Sequence, residues 1–162
     1  VTGQDYGDFE LSFDWKIAPN GNSGLKYRVR KYGDRTLGCE YQIYDDKSKR
    51  EEISLRQSAG ALYGLFEPNQ NKQLKPAGEF NSARIVIQGD AVQHWLNDKL
   101  IVAVTIGSEE WKKRVADSKF NEYEGFARNH RGKIMLTDHG GEVWYRNFKL
   151  LTPAHSENGQ SR

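Results

Sequence analysis

A period of two constrains this chain more than any other feature. From Phe9 to Ile17 it reads Phe-Glu-Leu-Ser-Phe-Asp-Trp-Lys-Ile, apolar and polar residues alternating without interruption. Successive side chains of a strand point to opposite faces, so this pattern predicts a strand with one packed and one wet surface. Pro19-Asn-Gly-Asn-Ser-Gly24 is a dense turn signal, and Leu25-Lys-Tyr-Arg-Val-Arg30 resumes the alternation with its basic residues on one side. The two runs read as a long hairpin.

The rest of the chain repeats the theme. Gly38 to Tyr44, Ala83 to Gln88, Val92 to Leu96, Leu100 to Thr105, Gly132 to Thr137 and Val143 to Leu150 are all short strand-like runs, with Gly89-Asp90 and Asn97-Asp98 as tight turns. Short strands at this spacing predict an all-β jelly-roll sandwich occupying residues 1–152. One segment departs from the pattern. Ser108 offers an N-cap, Glu109 and Glu110 suit a first turn, and Trp111, Val115 and Phe120 can share a face, which predicts one short helix. The polar stretch 153–162 lacks apolar period and is expected to be a flexible tail.

Composition narrows the function classes. With 24 basic and 22 acidic residues interspersed, the chain has no broad field suited to nucleic acid or an anionic membrane surface. The Trp111-Lys-Lys-Arg114 cluster, next to Glu109 and Glu110, reads as a solvated helix face. Cys39 is the single cysteine, so neither an internal disulfide nor a paired-thiolate zinc site is available. No apolar run approaches a membrane span, and Val1 opens directly into polar sequence rather than a leader. Aromatic residues make up 12% of the chain, which suits a saccharide: sugar C–H faces pack on rings while hydroxyls need a polar rim.

On the Gly38 to Tyr44 strand, Glu40 and Gln42 project from one face and Tyr41 and Ile43 from the other. A carboxylate beside an amide supplies acceptors and donors for sugar hydroxyls, and the carboxylate can act as a proton acceptor. The same pattern also fits an ordinary solvated strand face. Five residues on, Asp45 falls on the opposite face of a regular strand, and Gln42 stands where sandwich-fold glucanases place the middle acid of a Glu, Asp, Glu series. A two-carboxylate glycosidase is therefore poorly supported. His94 is expected to point away from Trp95, as a hydrogen-bonded structural residue or a catalyst. Arg28, flanked by Lys26 and Arg30, reads either as an exposed edge residue or as an anchor for a carbonyl or oxyanion. Asp138 and His139 lie in a turn between strands, where sites often gather. No phosphate loop, nucleophilic serine motif or dinucleotide fingerprint is present, so no cofactor is expected. A divalent ion held by Glu40, His94, Asp138 and His139 has no compact ligand spacing behind it.

Taken together, Tyr6-Gly-Asp-Phe-Glu10, Asn22-Ser-Gly24, Gly38-Cys-Glu-Tyr-Gln-Ile43, Ala59-Gly-Ala-Leu-Tyr63, Lys75-Pro-Ala-Gly-Glu79, His94-Trp-Leu-Asn97, Asp138-His-Gly140 and Trp144-Tyr-Arg-Asn147 resemble the 3-keto-disaccharide hydrolase family. The likeness runs in order from Tyr6 to Leu150. It implies a concanavalin-like jelly roll, periplasmic or extracellular, from bacteria, that cleaves glycosides already oxidised at C3. It also implies roles: Glu40 as acid/base, Arg28 as ketone or enolate anchor, and His94 and His139 as proton shuttles or ligand contacts. Asn22, Gln42 and Tyr63 become hydroxyl binders, with Asp138 and His139 at the substrate's edge. Members begin with an additional stretch carrying one or two strands, so the N-terminal strand region is expected to be truncated here. Cys39 and Phe80 stand where the family tends to have aromatic residues, Trp in the second case. The alternative class is a lectin-like module that keeps the fold without catalysis. A module has no reason to gather Glu40, Arg28 and His94 around one groove, so their separation would favour it.

Overall fold

The computed structural model describes residues 1–49 and 52–153. Among them the chain forms β1 (Phe9–Ile17), β2 (Asn22–Tyr32), β3 (Arg35–Tyr44), β4 (Asn81–Gln88), β5 (Ala91–Leu96), β6 (Lys99–Thr105), the helix α1 (Glu109–Ala116), β7 (Lys133–Asp138) and β8 (Val143–Leu151). A five-stranded sheet in the order β6-β5-β4-β1-β8 faces a three-stranded sheet in the order β3-β2-β7. The all-β sandwich expected from the alternation is what the chain forms.

The alternation also explains the core. Phe9, Leu11, Phe13, Trp15 and Ile17 of β1 are buried, while the residues between them are half-exposed. Leu25 and Tyr27 of β2 and Cys39, Tyr41 and Ile43 of β3 oppose them. The sheets are joined by edge-on ring contacts, Phe13 to Tyr41 at 6.0 Å and Phe9 to Tyr27 at 6.4 Å. Each such fully buried ring contributes about 1.5–3 kcal/mol by removal from water. Aromatic residues thus make up for the scarcity of aliphatic ones.

Two expectations need correction. The long hairpin of Phe9–Ile17 with Leu25–Arg30 does not form: β1 pairs with β4 and β8, and β2 with β3 and β7. The turn between them carries the chain from one sheet to the other. Alternation establishes only that each strand has an apolar face, and two such faces are buried as well by meeting through the core as by lying side by side. The second correction lies within β2. Its register shifts between Tyr27 and Arg30 against β3, and between Lys26 and Val29 against β7, and Arg28 sits at this bulge with φ 51°. An extra residue in a strand resets which face each side chain takes. Lys26 therefore points outward, and Arg28 is turned inward and fully buried.

The helix forms where expected, with the Ser108 hydroxyl accepting from the Trp111 N–H at 3.1 Å. Trp111 docks it on Phe66, ring centroids 6.0 Å apart. Phe120 is buried but lies beyond the helix, in the turns that follow. The segment 154–162, most of the expected tail, lies outside the described residues.

Candidate functional site

The site is built on the outer face of the three-stranded sheet. Lys26 of β2 is directly opposite Glu40 of β3, and Gly24 lies between Gln42 on β3 and Thr137 on β7. Glu40, Gln42, Asn22, Lys26 and Thr137 consequently share one surface, a result of strand parity and register alone. Outside β3 the chain doubles back: Gln42 N–H donates to Ala61 C=O at 3.1 Å and Tyr63 N–H to Glu40 C=O at 2.9 Å. This stitches Tyr63 beside Glu40. The loop after α1 then brings the Lys119 ammonium 4.4 Å above the Tyr63 ring and 3.4 Å from its hydroxyl.

Although Glu40 and Gln42 point away from the sandwich interior, they are only 8% and 3% exposed. They are largely covered by the side chains and the connection around them rather than lying on a solvated face. Glu40 crosses the middle strand: its Oε1 accepts from the Thr137 hydroxyl at 3.1 Å, and its Oε2 lies 3.9 Å from Lys26 Nζ. Burial pushes the Glu40 carboxyl above its ordinary value, because desolvation disfavours the charged form more than Lys26, Thr137, His139 and Lys119 favour it. Gln42 Nε2 donates to Asn22 Oδ1 at 3.2 Å, leaving the other amide atoms for a ligand. The surface therefore holds a proton acceptor with a raised pKa, an adjacent ammonium, amides and a tyrosine.

The remaining residues singled out from the sequence are placed elsewhere. His94 is fully buried between the sheets: its Nε2 meets Tyr27 Oη at 2.8 Å and its Nδ1 the Gly60 carbonyl at 3.0 Å. A carbonyl can only accept, so Nδ1 carries the proton and Nε2 accepts from Tyr27. Burial pushes the imidazole down to about 4. This is the structural histidine of the two readings, not a proton shuttle open to substrate. Arg28 Nη2 donates to the Gly89 carbonyl, and Nη1 lies 3.9 Å from Asp90. It points toward the β4–β5 turn, away from Glu40's face, because the bulge breaks the parity that grouped it with Lys26. Asp138 is exposed and its Oδ1 accepts from Gly140 N–H at 2.8 Å, a turn role. His139 is exposed yet electrostatically coupled to Glu40.

The four proposed metal ligands are thus divided between core, turn and outer face. Among the described residues no group of three or more His, Cys, Asp or Glu side chains is placed to hold a metal ion. Asp45 stabilises a turn, accepting from the Asn20 N–H at 2.8 Å and the Lys47 N–H at 3.1 Å. Lys26, Thr137, Lys119 and Gly24 were not legible as site residues. Gly24 carried a weak signal as part of the Asn22-Ser-Gly24 motif, and Lys26 only as a flank of Arg28. Thr137 and Lys119 are distant in sequence and carried none.

Residues 1–151 match the family described as the 3-keto-alpha-glucoside-1,2-lyase-like domain. The chain belongs to that family. A 3-keto-disaccharide hydrolase of Bacteroides thetaiotaomicron is 30% identical, the match covering 93% of this chain and 60% of the relative. The chain thus spans about 60% of the length of that relative. A structure from Parabacteroides distasonis, described as a candidate glycosyl hydrolase, aligns with TM-score 0.84 and 32% identity over 93% of this chain and 72% of that one. A carbohydrate-binding module of Bacillus subtilis, 15% identical with TM-score 0.53 over 93% of this chain and 78% of its own, shares the fold.

Proposed function

We propose that this domain cleaves the glycosidic bond of 3-keto-glycosides by elimination, with Glu40 as the base. The observation that carries the reading is Glu40 itself: a nearly buried carboxyl, its pKa raised by burial, with one oxygen held by Thr137 and the other beside the Lys26 ammonium. A carboxyl whose pKa is raised both takes up and returns a proton more readily than an ordinary, fully ionised carboxylate. A ketone at C3 acidifies the C2 hydrogen. Glu40 takes that proton, the C2–H pair forms the C2=C3 bond of an enolate, and the carbonyl electrons move to the C3 oxygen. Lys26 offsets the developing charge, the part that sequence spacing offered to Arg28. The enolate then collapses, its electron pair forming C1=C2 as the C1–O bond breaks. Glu40 returns its proton to the departing oxygen, and water adds across C1=C2. A single carboxylate suffices, which fits a strand with Gln42 where a second acid would stand.

Gln42, Asn22 and Tyr63 would receive the sugar hydroxyls, with His139 and Lys119 at the rim. The name of the Bacteroides relative and the family description support the substrate class. The reading carries with it a periplasmic or extracellular location and no requirement for a bound cofactor.

One observation favours the lectin-like module: Glu40, Arg28 and His94 do not surround one groove. Lys26 and Thr137 take the places of the missing pair, which keeps catalysis ahead. The test is to offer a chromogenic 3-keto-glucoside beside the unoxidised glucoside, in both anomers, with and without chelator. Cleavage of the keto sugar alone, unaffected by chelator and lost in Glu40→Gln, is expected. Binding of sugars without cleavage would establish the module, and cleavage of only the unoxidised glucoside would restore an ordinary glycosidase.

A further inference from the structure

A group that serves as both base and acid must be accommodated in two protonation states, and a buried carboxyl has few partners to do so. The Thr137 hydroxyl lies between two acceptors. Its Oγ1 is 3.1 Å from Glu40 Oε1 and 3.3 Å from the carbonyl oxygen of Gly24. A hydroxyl has one proton and can donate to only one of them at a time, but it can also accept.

We propose that Thr137 is a two-position rotor that satisfies Glu40 in both protonation states, and that Gly24 is the gap through which Glu40 reaches it. When Glu40 is ionised, Thr137 donates to Oε1. When Glu40 has taken the substrate proton, the Thr137 proton turns to the Gly24 carbonyl, and Oγ1 accepts from the new carboxyl O–H. Neither state leaves the buried pair with an unmet donor, so the proton can come and go without rearranging the side chains around it. Oε1 is thus the oxygen that takes and returns the proton, while Oε2 stays an acceptor facing the Lys26 ammonium.

Gly24 makes this geometry available. A Cβ built there would lie 2.2 Å from Glu40 Oε1 and 2.9 Å from its Cδ, far inside van der Waals contact. Any side chain at this position, in the middle strand between β3 and β7, would push the carboxylate off Thr137. The φ of Gly24 lies outside the left-handed region, so the requirement is one of space rather than of backbone conformation. The other charged or titratable groups acting on Glu40 are Lys26 on β2, His139 after β7 and Lys119 after α1. Tyr145 of β8 also feels its charge, from a hydroxyl 2.8 Å from Ser23 Oγ. Thr137 is in direct hydrogen-bond contact with Glu40 through a hydroxyl that can exchange donor for acceptor as Glu40 titrates, which makes Thr137 the positioning residue.

The inference rests on Glu40 being the base, and the experiment separates the two. Exchange of the C2 hydrogen of a 3-keto-glucoside for solvent deuterium, and the pH profile of kcat/KM, are measured for Glu40→Gln, Thr137→Val, Thr137→Ser and Gly24→Ala. Thr137→Val is expected to lose about tenfold or more and to move the acid limb to higher pH, because the ionised form loses its donor, while Thr137→Ser recovers rate and limb. Gly24→Ala is expected to follow Thr137→Val with its melting temperature retained, and it carries the test if the valine variant does not fold. Glu40→Gln exchanging as fast as the parent would sink the base reading and the rotor with it. Glu40→Gln inactive but Thr137→Val unchanged in rate and limb would sink the rotor alone.

Discussion

At the scale of single residues, parity decides what each side chain can do. Arg28 is a guanidinium inside the sandwich whose Nε and Nη1 make no hydrogen bond. A buried charge so poorly matched is often replaced by an apolar side chain of similar length without loss of stability. Arg28→Met is therefore expected to keep kcat/KM on the 3-keto-glucoside and to melt at or above the parent's temperature. Lys26→Met should lower kcat/KM by about tenfold to a hundredfold through loss of charge stabilisation. The opposite ranking of these two rates would return the anchor role to Arg28. From sequence the two residues were equivalent, at i and i+2 of one strand. Only the bulge separates them, and a bulge at a residue other than glycine leaves no mark in an alternating pattern.

Elements follow the same rule: what is local was legible, and what depends on pairing was not. The runs that alternate became strands, the Gly89-Asp90 and Asn97-Asp98 turns formed with positive φ at Gly89, Asn97 and Asp98, and Ser108 capped its helix. Glu40 and Gln42 share a face as their spacing required. Which strands are neighbours was not encoded locally, so the placement of β1 and β2 in different sheets and the partnership of Glu40 with Thr137 across β2 lay beyond reach. The helix shows how a local signal can act at a distance. Capping, Trp111 on Phe66 and the 3.2 Å Arg114–Glu67 pair anchor α1, and the loop that follows presents Lys119 over Tyr63. Ser108→Ala should cost about 1 kcal/mol in chemical denaturation. It should change KM more than kcat, since Lys119 lies at the rim and not at the reacting atoms.

For the molecule as a whole, two buried titratable groups set opposing pH trends. His94 holds its proton less tightly when folded, about 4 against an ordinary 6.5, so the unfolded chain binds the extra proton between those values. Its contribution is complete above 6.5 and is lost as pH falls toward 4, by up to about 3 kcal/mol. Glu40 is raised instead, so its contribution is complete below its ordinary 4.5 and is lost as pH rises through its folded value. Stability should therefore decline toward acid because of His94 and toward neutral pH because of Glu40. Melting curves across pH 4–8 check both: His94→Asn should flatten the acid slope from a lower plateau. Glu40→Gln should melt higher than the parent near neutrality, with the advantage vanishing in acid. A parent curve with no acid slope, or Glu40→Gln melting lower at neutral pH, would contradict these assignments.

The surface around Glu40 draws on two kinds of support. Glu40, Gln42, Gly24, Lys26 and Thr137 stand on three strands whose ladders fix them, whereas Tyr63, Lys119 and His139 come from the connections around them. Diversification of this scaffold is accordingly divided into two compartments. Changes in the connections can retune which leaving group is welcomed, leaving proton transfer intact. Changes on the ladders will mostly silence the domain, so a library meant to broaden its substrates belongs on Tyr63, 117–119 and 139–142, clear of the buried Ala61, Leu62, Leu65, Phe66 and Phe120.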